Sequence, residues 1–240
     1  MGICLGAVVA LTLLISSSVS VQARWFCVDP VNAHDEEDRL CGETVRSLDT
    51  LLTSGTVQAG DRILLKTGQY GDLAIRQRHN NRLVTIASYP RHEVVFSSIL
   101  IDESSNWAFS EITIEPPFGF ISKEPLFQVS GASRSVVLKD SRIRAAPSVE
   151  NWTKQDWLDH ARTGIRVEGR GIKIERVEIE NVRHGIESRA DVSRFVGNVI
   201  NRFSGDGIRG LGNGAIYAEN TIKNCYDVDN NHDDGFQSWS

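Results

Sequence analysis

Two stretches of the chain decide its fold: IERVEIENVRHGI at residues 174–186 and GNVINRFSGDGI at residues 197–208. Each ends in a polar residue followed by Gly and Ile. Extending this match gives a column of turns with spacings of 21, 22 and 28 residues: Thr163-Gly164-Ile165, His184-Gly185-Ile186, Asp206-Gly207-Ile208 and Asp234-Gly235-Phe236. Ile179, Ile200 and Ile222 repeat independently at 21 and 22 residues, each followed three residues later by Val182, Phe203 or Cys225.

A period of this length, with short β-branched runs and one glycine turn per repeat, predicts an all-β parallel solenoid. Successive coils of such a solenoid pair at about 4.8 Å, so equivalent residues lie over one another. We therefore expect Ile179, Ile200 and Ile222 to form an internal apolar stack. Asn198 over Asn220 is expected to form a short amide ladder.

The ends of the chain differ from the repeat. Residues 1–23 have an apolar run and then a small-x-small pattern, Val21-Gln22-Ala23, which predicts a signal peptide and a secreted or periplasmic protein. A membrane anchor is the rival interpretation, but the run is short of the roughly 18 residues that span a bilayer. We expect no membrane contact after the signal is removed.

Residues 24–58 are predicted to form an N-terminal loop and a capping helix. Within ETVRSLDTLLT, residues 43–53, the apolar side chains fall on one side of a helix that could cover the open end of the solenoid. The parallel β-helix is then expected over residues 59–240, with a helical insertion near 148–162. Because Ser240 falls in mid-coil, we expect the solenoid to be truncated at its C-terminal end.

Charge and cysteine content narrow the possible functions. A net charge of −5 gives no basic face, so nucleic acid is not an expected partner. Cys4 is expected to leave with the signal peptide. Cys27 and Cys41 are near enough in sequence to close a small loop in an oxidising compartment, which leaves Cys225 unpaired. No pair has C-x-x-C spacing, so a structural zinc site is not predicted.

The signal peptide, the capping helix, the phrase AGDRILLKTGQYGDLAI at residues 59–75 and the coils at residues 174–186 and 197–208 together resemble secreted right-handed parallel β-helix proteins. Within that group the N-terminal phrase is most similar to alginate and chondroitin lyases of the chondroitinase B type and to mannuronan C5-epimerases. The resemblance implies a right-handed, pectin lyase-like fold and a protein that acts on polysaccharides. It carries no catalytic residue over, because no stretch matches the Lys, Arg and calcium-binding pattern of the lyases or the Asp-Pro-His motif of the epimerases.

The turn column supplies candidate catalytic residues. If coils stack in register, His184, Asp206 and Asp234 lie about 5 Å apart along one edge. The next outward column reads Arg166, Glu187, Arg209 and Gln237. The longer last repeat adds His232 and Asp233.

This set suits chemistry at C5 of a uronate sugar. His184, His232 or an Asp with a raised pKa could remove the C5 proton. Arg209 could neutralise the substrate carboxylate, and so could a calcium ion held by Asp206, Asp233 and Asp234. Tyr226 or a second His could then protonate the leaving oxygen in a lyase, or C5 in an epimerase. Hydrolysis by paired carboxylates remains open.

Each of these assignments has an alternative in which the residue has only a structural role. Asp before Gly is a common turn dipeptide, so Asp206 and Asp234 could form turns alone. A surface salt-bridge ladder explains alternating charge in the outward column that begins with Arg166. Trp152 and Trp157 could form a sugar-stacking platform or simply dock their helix on the solenoid.

The sequence therefore predicts a secreted protein that acts on an acidic, uronate-containing polysaccharide by β-elimination or C5 epimerisation. Its candidate catalytic residues are His232, Asp234, His184, Asp206 and Arg209. Arg166, Trp152, Trp157 and Tyr226 are candidates for substrate binding, and calcium is a candidate cofactor. The alternative is a carbohydrate-binding or structural solenoid without catalysis.

Overall fold

The computed structural model describes residues 22–31, 40–117, 119, 121–228 and 233–238. These residues form a right-handed parallel β-helix with three sheets, and two short helices lie outside the coils. Each coil passes through sheet A, then sheet B, then sheet C before the next coil begins. The all-β solenoid expected from the repeat is therefore confirmed.

Sheet A contains β1 Trp25–Val28, β2 Glu43–Val45, β3 Arg62–Leu65, β6 His79–Ser88, β9 Ser105–Ser110, β12 Arg134–Lys139, β15 Lys173–Glu175, β18 Arg194–Val196 and β21 Ile216–Ala218. Sheet B contains β4 Gly68–Gln69, β7 Val94–Phe96, β10 Thr113–Ile114, β13 Arg142–Arg144, β16 Glu178–Val182, β19 Val199–Phe203 and β22 Thr221–Cys225. Sheet C contains β5 Asp72–Arg76, β8 Ser98–Asp102, β11 Phe127–Val129, β14 Ile165–Val167, β17 Ile186–Ser188, β20 Ile208–Gly210 and β23 Phe236–Gln237. The helices are α1 Leu48–Thr53 and α2 Lys154–His160.

The strand register matches the columns seen in the sequence. In sheet B, Ile179 pairs with Ile200 and Ile200 with Ile222. In sheet C, Ile186 pairs with Ile208, and the same column extends to Ile165 before it and Phe236 after it. Because every coil repeats this register, equivalent side chains stack along the axis.

The interior of the solenoid is a continuous apolar core. Ile143, Ile179 and Ile200 follow one another in sheet B and are completely buried. Burying each such side chain contributes about 1.5 to 3 kcal/mol relative to leaving it exposed. This stacking explains why short strands of low individual stability form a regular solenoid.

The turns between sheets A and B are tight and use amide side chains. The Asn198 amide donates to the Oδ1 atom of Asn220 at 2.9 Å, and Asn198 Oδ1 accepts the backbone N–H of Val177 at 2.9 Å. Asn198 is completely buried, so these bonds satisfy polar atoms that water cannot reach. The expected ladder between Asn198 and Asn220 is confirmed.

The N-terminal cap differs from the expectation in one element. Helix α1 begins after Ser47, whose side chain accepts the N–H of Thr50, and it buries its apolar face. Residues Glu43–Val45, expected to be its first turn, instead form a strand that pairs with Trp25–Val28. Pairing on the sheet edge outweighs the helical pattern there, because an uncovered edge leaves backbone groups without partners. Cys27 and Cys41 form a disulfide next to this strand pair.

Three long connections project from the corner between sheets B and C. They cover residues 115–126, 145–164 and 226–235, whereas the other connections at this corner are short. We call the described residues of these three segments, 115–117, 119, 121–126, 145–164, 226–228 and 233–235, the corner lobe. Lys123 Nζ donates to the carbonyl of Leu158 at 2.6 Å, and the Trp157 and Tyr226 rings stack at 5.0 Å, so the segments pack against each other. The described parts of the three segments therefore lie together at this corner.

The predicted signal peptide, residues 1–23, falls almost wholly outside the described residues and stays a prediction. Of the helices found in the described part of the chain, neither has the length and apolar character needed to cross a membrane.

Candidate functional site

Asp206 lies at the corner between sheets B and C and is almost fully buried. Its Oδ1 atom accepts the backbone N–H of Asp234 at 3.2 Å, and its Oδ2 atom forms an ion pair with Arg209. The carboxylate thus links its own coil to the next one and anchors a cation of sheet C. Because both oxygens are used within the protein, Asp206 acts as a turn and positioning residue in this geometry.

His184 lies directly over Asp206 in the preceding coil. Its Nδ1 atom accepts the backbone N–H of Asp206 at 3.0 Å, which places the ring proton on Nε2. Burial lowers the pKa of His184, so the ring is neutral near pH 7. With Nδ1 occupied, His184 is a hydrogen-bond donor through Nε2 in this geometry, and its role as a base stays a prediction.

The close approach of this ring requires a glycine. A Cβ atom added to Gly205 would lie 2.5 Å from Cε1 of His184, well inside the contact distance of real Cβ atoms. The sequence Ser204-Gly205-Asp206-Gly207 therefore fits under the imidazole only because it carries no side chain at that point. The turn at residues 204–207 therefore packs directly against the His184 imidazole.

A stripe of charged side chains runs along the outer face of sheet C. Glu187 lies between two arginines: Arg166 Nη2 is 2.7 Å from Glu187 Oε2, and Arg209 Nη1 is 3.2 Å from Glu187 Oε1. Arg209 Nε also donates to Gln237 at 3.2 Å. We call these four residues the sheet C stripe.

The exposed part of this stripe is cationic. The side chains of Arg166 and Arg209 are 41% and 30% exposed, whereas Glu187 is 14% exposed and Asp206 only 1%. The carboxylates of Glu187 and Asp206 therefore pair with the covered side of the guanidinium groups, and part of each guanidinium group faces solvent. An arginine fixed in this way has lost part of its conformational freedom and is prepared to bind a carboxylate.

The last coil places Asp234 beside the stripe and Asp233 beside Cys225 of sheet B. Asp234 is exposed, and its Oδ2 atom accepts Gln237 Nε2 at 3.0 Å. Asp233 is half-buried and contributes, after burial itself, to raising the pKa of the Cys225 thiol to about 11. His232 lies outside the described residues, so its position as a candidate base stays a prediction.

The predicted calcium ligands fit a metal site only in part. Asp206 is a poor ligand, because its oxygens are engaged and the Arg209 guanidinium stands against it. Among the described residues, no group of three or more His, Cys, Asp or Glu side chains is arranged to hold a metal. Asp234 is exposed, and calcium as a cofactor held by Asp206, Asp233 and Asp234 stays a prediction.

The three aromatic candidates for substrate binding differ in how much of each side chain is exposed. Trp157 is 4% exposed and packs between Trp152, with ring centroids 5.1 Å apart, and Tyr226. In this geometry it packs α2 against Tyr226 and is almost fully covered, and its role in substrate binding stays a prediction. Trp152 is half-buried and Tyr226 is 43% exposed, so these two keep accessible ring surface.

A groove on the outer face of sheet B was not foreseen from the sequence. It has a volume of about 650 Å³ and lies beside Pro116 and Pro117, where the corner lobe begins. Two of the strands that form its floor, Gly68–Gln69 and Thr113–Ile114, are only two residues long. Strands this short show no periodicity, and only the Pro-Pro pair after a strand could have marked the site.

Comparison with known proteins is limited to the fold. No protein-family model matches the chain, and no curated protein matches it. Among solved structures, a chain titled rhamnogalacturonan lyase superimposes with a TM-score of 0.62 at 12% sequence identity. The match covers 90% of this chain and 62% of that one, so this chain spans less than two thirds of the length of the protein it matches. What the two share is the right-handed parallel β-helix.

Proposed function

We propose that the protein acts on an acidic, uronate-containing polysaccharide, by β-elimination or C5 epimerisation, and binds it along the sheet C stripe. The observation that carries this proposal is the pair of half-exposed arginines held by one largely covered glutamate. An exposed cation above a covered anion is accessible to an anionic ligand. Here the anion is covered and the cations face outward.

The spacing of the arginines supports a linear polyanion as the ligand. Arg166 and Arg209 are separated by two coil repeats, or about 10 Å along the axis. That span is comparable to a disaccharide, so two carboxylates of one polyuronate chain could each meet a guanidinium. The polysaccharide would then run parallel to the solenoid axis, beside the corner lobe.

The chemistry begins with removal of the proton at C5. The bound guanidinium of Arg209 would stabilise the negative charge that develops on the substrate carboxylate. In β-elimination the electron pair forms the C4–C5 double bond and expels the glycosidic oxygen, which takes up a proton. In epimerisation C5 regains a proton from the opposite face.

His232 and Asp234 are the preferred candidates for the base. Asp234 lies beside Gln237 at the end of the sheet C stripe and is open to solvent. His184 is reassigned to positioning, because its Nδ1 atom is occupied by the Asp206 amide. Tyr226, which is partly exposed, is a candidate proton donor.

Turnover is tested with alginate, pectate and chondroitin, each with and without a chelator. We expect ultraviolet absorbance from an unsaturated uronate if the protein is a lyase, or inversion at C5 by NMR if it is an epimerase. Loss of activity with chelator, restored by calcium, would support Asp233 and Asp234 as metal ligands. Neither product on any of the three polymers would contradict the enzymatic proposal.

Binding is tested with a matched pair of variants. Arg166→Gln should weaken polyuronate binding by about tenfold, because one charge-assisted contact is lost. Arg142→Gln is the control, since Arg142 is paired with Glu178 at 2.7 Å on sheet B, away from the stripe. Equal affinities for the two variants would argue against the sheet C stripe as the binding face.

A non-catalytic carbohydrate-binding or structural solenoid is the second candidate. It is favoured by the hydrogen bonds that already occupy His184 and Asp206 within the turns. Polyuronate binding that depends on Arg166, without any turnover, would select this alternative.

A further inference from the structure

The groove on the outer face of sheet B is a second surface with the features of a binding site. It is formed in the first coils by residues of β4, β7, β10 and β13, whereas the sheet C stripe lies on β14, β17, β20 and β23. The two surfaces therefore belong to different sheets, and a ligand of the groove is independent of the function proposed for the stripe.

The groove has the size and rigidity of a preformed ligand site. Its volume of about 650 Å³ lies within the range of roughly 300 to 1,000 Å³ typical of small-molecule sites. Its floor is fixed by hydrogen bonds between coils: the Ser97 N–H donates to Gly71 O at 2.7 Å, and the Glu115 N–H donates to Phe96 O at 2.7 Å. Ligand binding would therefore cost little entropy for ordering the protein.

The charged groups of the groove do not favour an anion. Arg144 is its cation, and this guanidinium is paired with the carboxylate of Glu115. Glu93 adds a second carboxylate, which leaves the lining with one more negative than positive side chain. This balance is opposite to that of the exposed part of the sheet C stripe.

The uncharged lining groups combine hydrogen bonding with small apolar surfaces. Gln69, Ser97 and Thr113 offer an amide and two hydroxyl groups, while Val95, Pro116 and Pro117 offer carbon surface. A sugar has the same mixture, because its hydroxyl groups surround rings with C–H faces. A purely apolar ligand would leave the polar lining groups without partners.

We propose that this groove binds a neutral oligosaccharide. Glu93 and Gln69 would accept hydrogen bonds from sugar hydroxyl groups. Val95, Pro116 and Pro117 would contact the C–H face of a sugar ring. The site is distinct from the arginine stripe in both position and charge. It would let the protein hold an uncharged part of a glycan without competing for the acidic part.

The probes are cellotetraose, xylotetraose, mannotetraose and β-1,4-galactotetraose, with tetragalacturonate as the acidic comparison, in saturation-transfer NMR and calorimetry. Val95→Trp fills the groove from an outward position. Val199→Trp is the matched control, because Val199 lies in the same outward column of sheet B but outside the groove. Circular dichroism checks that both variants are folded.

We expect at least one neutral tetrasaccharide to bind the native protein and to bind Val95→Trp at least about tenfold more weakly. Val199→Trp and Arg166→Gln should keep native affinity for it. Binding of none of the four neutral probes, equal weakening by the two tryptophan variants, or binding of tetragalacturonate alone at this groove would overturn the proposal. Loss of the neutral probe in Arg166→Gln would also overturn it, by moving the site to the stripe.

Discussion

Asp206 shows how a single residue can be important for the fold at a position where the sequence suggests catalysis. Its carboxylate is buried, contacts Arg209 and accepts the N–H of Asp234. Asp206→Asn removes the charge that Arg209 faces and should lower the free energy of unfolding by about 1 to 3 kcal/mol. Urea unfolding measures this difference.

Asp234→Asn is the control for that change, because Asp234 is exposed and its carboxylate accepts a hydrogen bond from the neutral amide of Gln237. We expect its effect on unfolding to stay within about 0.5 kcal/mol. Equal losses for the two variants would show that burial does not separate their roles.

The buried imidazole of His184 makes stability depend on pH. Burial lowers its pKa in the folded protein, while the unfolded chain keeps the ordinary value near 6.5. Below that ordinary value the unfolded chain binds a proton that the folded protein does not, so the free energy of unfolding falls as pH decreases. The fall continues until the lowered folded pKa is passed.

His184→Asn should flatten this dependence. The Oδ1 atom of Asn can occupy the place of Nδ1 and accept the Asp206 amide, but it does not titrate. Urea unfolding of both proteins between about pH 5 and pH 7 measures the difference, with the native protein losing more stability on acidification. Parallel curves would contradict the assignment of a neutral, buried His184, since the neighbouring Glu187, Arg183 and Arg209 are unchanged.

At the scale of elements, α2 stabilises the corner lobe and not the coils. Trp157, Val149, Ala161 and Val228 form a small apolar cluster of their own, apart from the main core. Trp157→Ala should therefore cost about 3 to 5 kcal/mol of local stability. Hydrogen exchange should accelerate in residues 145–164 and 226–228 while the sheets keep their protection.

Trp152→Ala serves as the comparison, because Trp152 contacts the same ring from a half-buried position. It should have a clearly smaller effect on exchange in the same segments. A loss of protection that spreads through sheets B and C in Trp157→Ala would show that α2 supports the solenoid itself.

How far each element could be predicted depends on whether its signal is repeated. Ile179, Ile200 and Ile222 could be placed in one column because each coil repeats the same inward side chain. Glu43–Val45 could not be predicted as a strand, since its partner Trp25–Val28 is a separate segment and pairing is a tertiary effect. The burial of Asp206 was equally out of reach, because it depends on the coils above and below.

At the scale of the whole molecule, both candidate binding surfaces lie beside the corner at which the repeat is interrupted. Residues 115–126, 145–164 and 226–235 interrupt it at the same corner, between sheets B and C. Sequence spacing reveals that the repeats differ in length, but only the three-sheet path shows that the long segments share a corner. The sheet C stripe and the sheet B groove lie on the two faces that meet there.

The solenoid is also expected to unfold unevenly, because each coil contacts mainly its neighbours. The disulfide between Cys27 and Cys41, 14 residues apart, should contribute about 3 kcal/mol to the N-terminal cap. Replacing both with Ala should accelerate hydrogen exchange in β1, β2 and β3 before it affects β16 and β19. Cys225→Ala is the control, since this exposed thiol is outside the disulfide and its loss should change little. Uniform acceleration along the axis would contradict this expectation and would mean that the coils unfold as one cooperative unit.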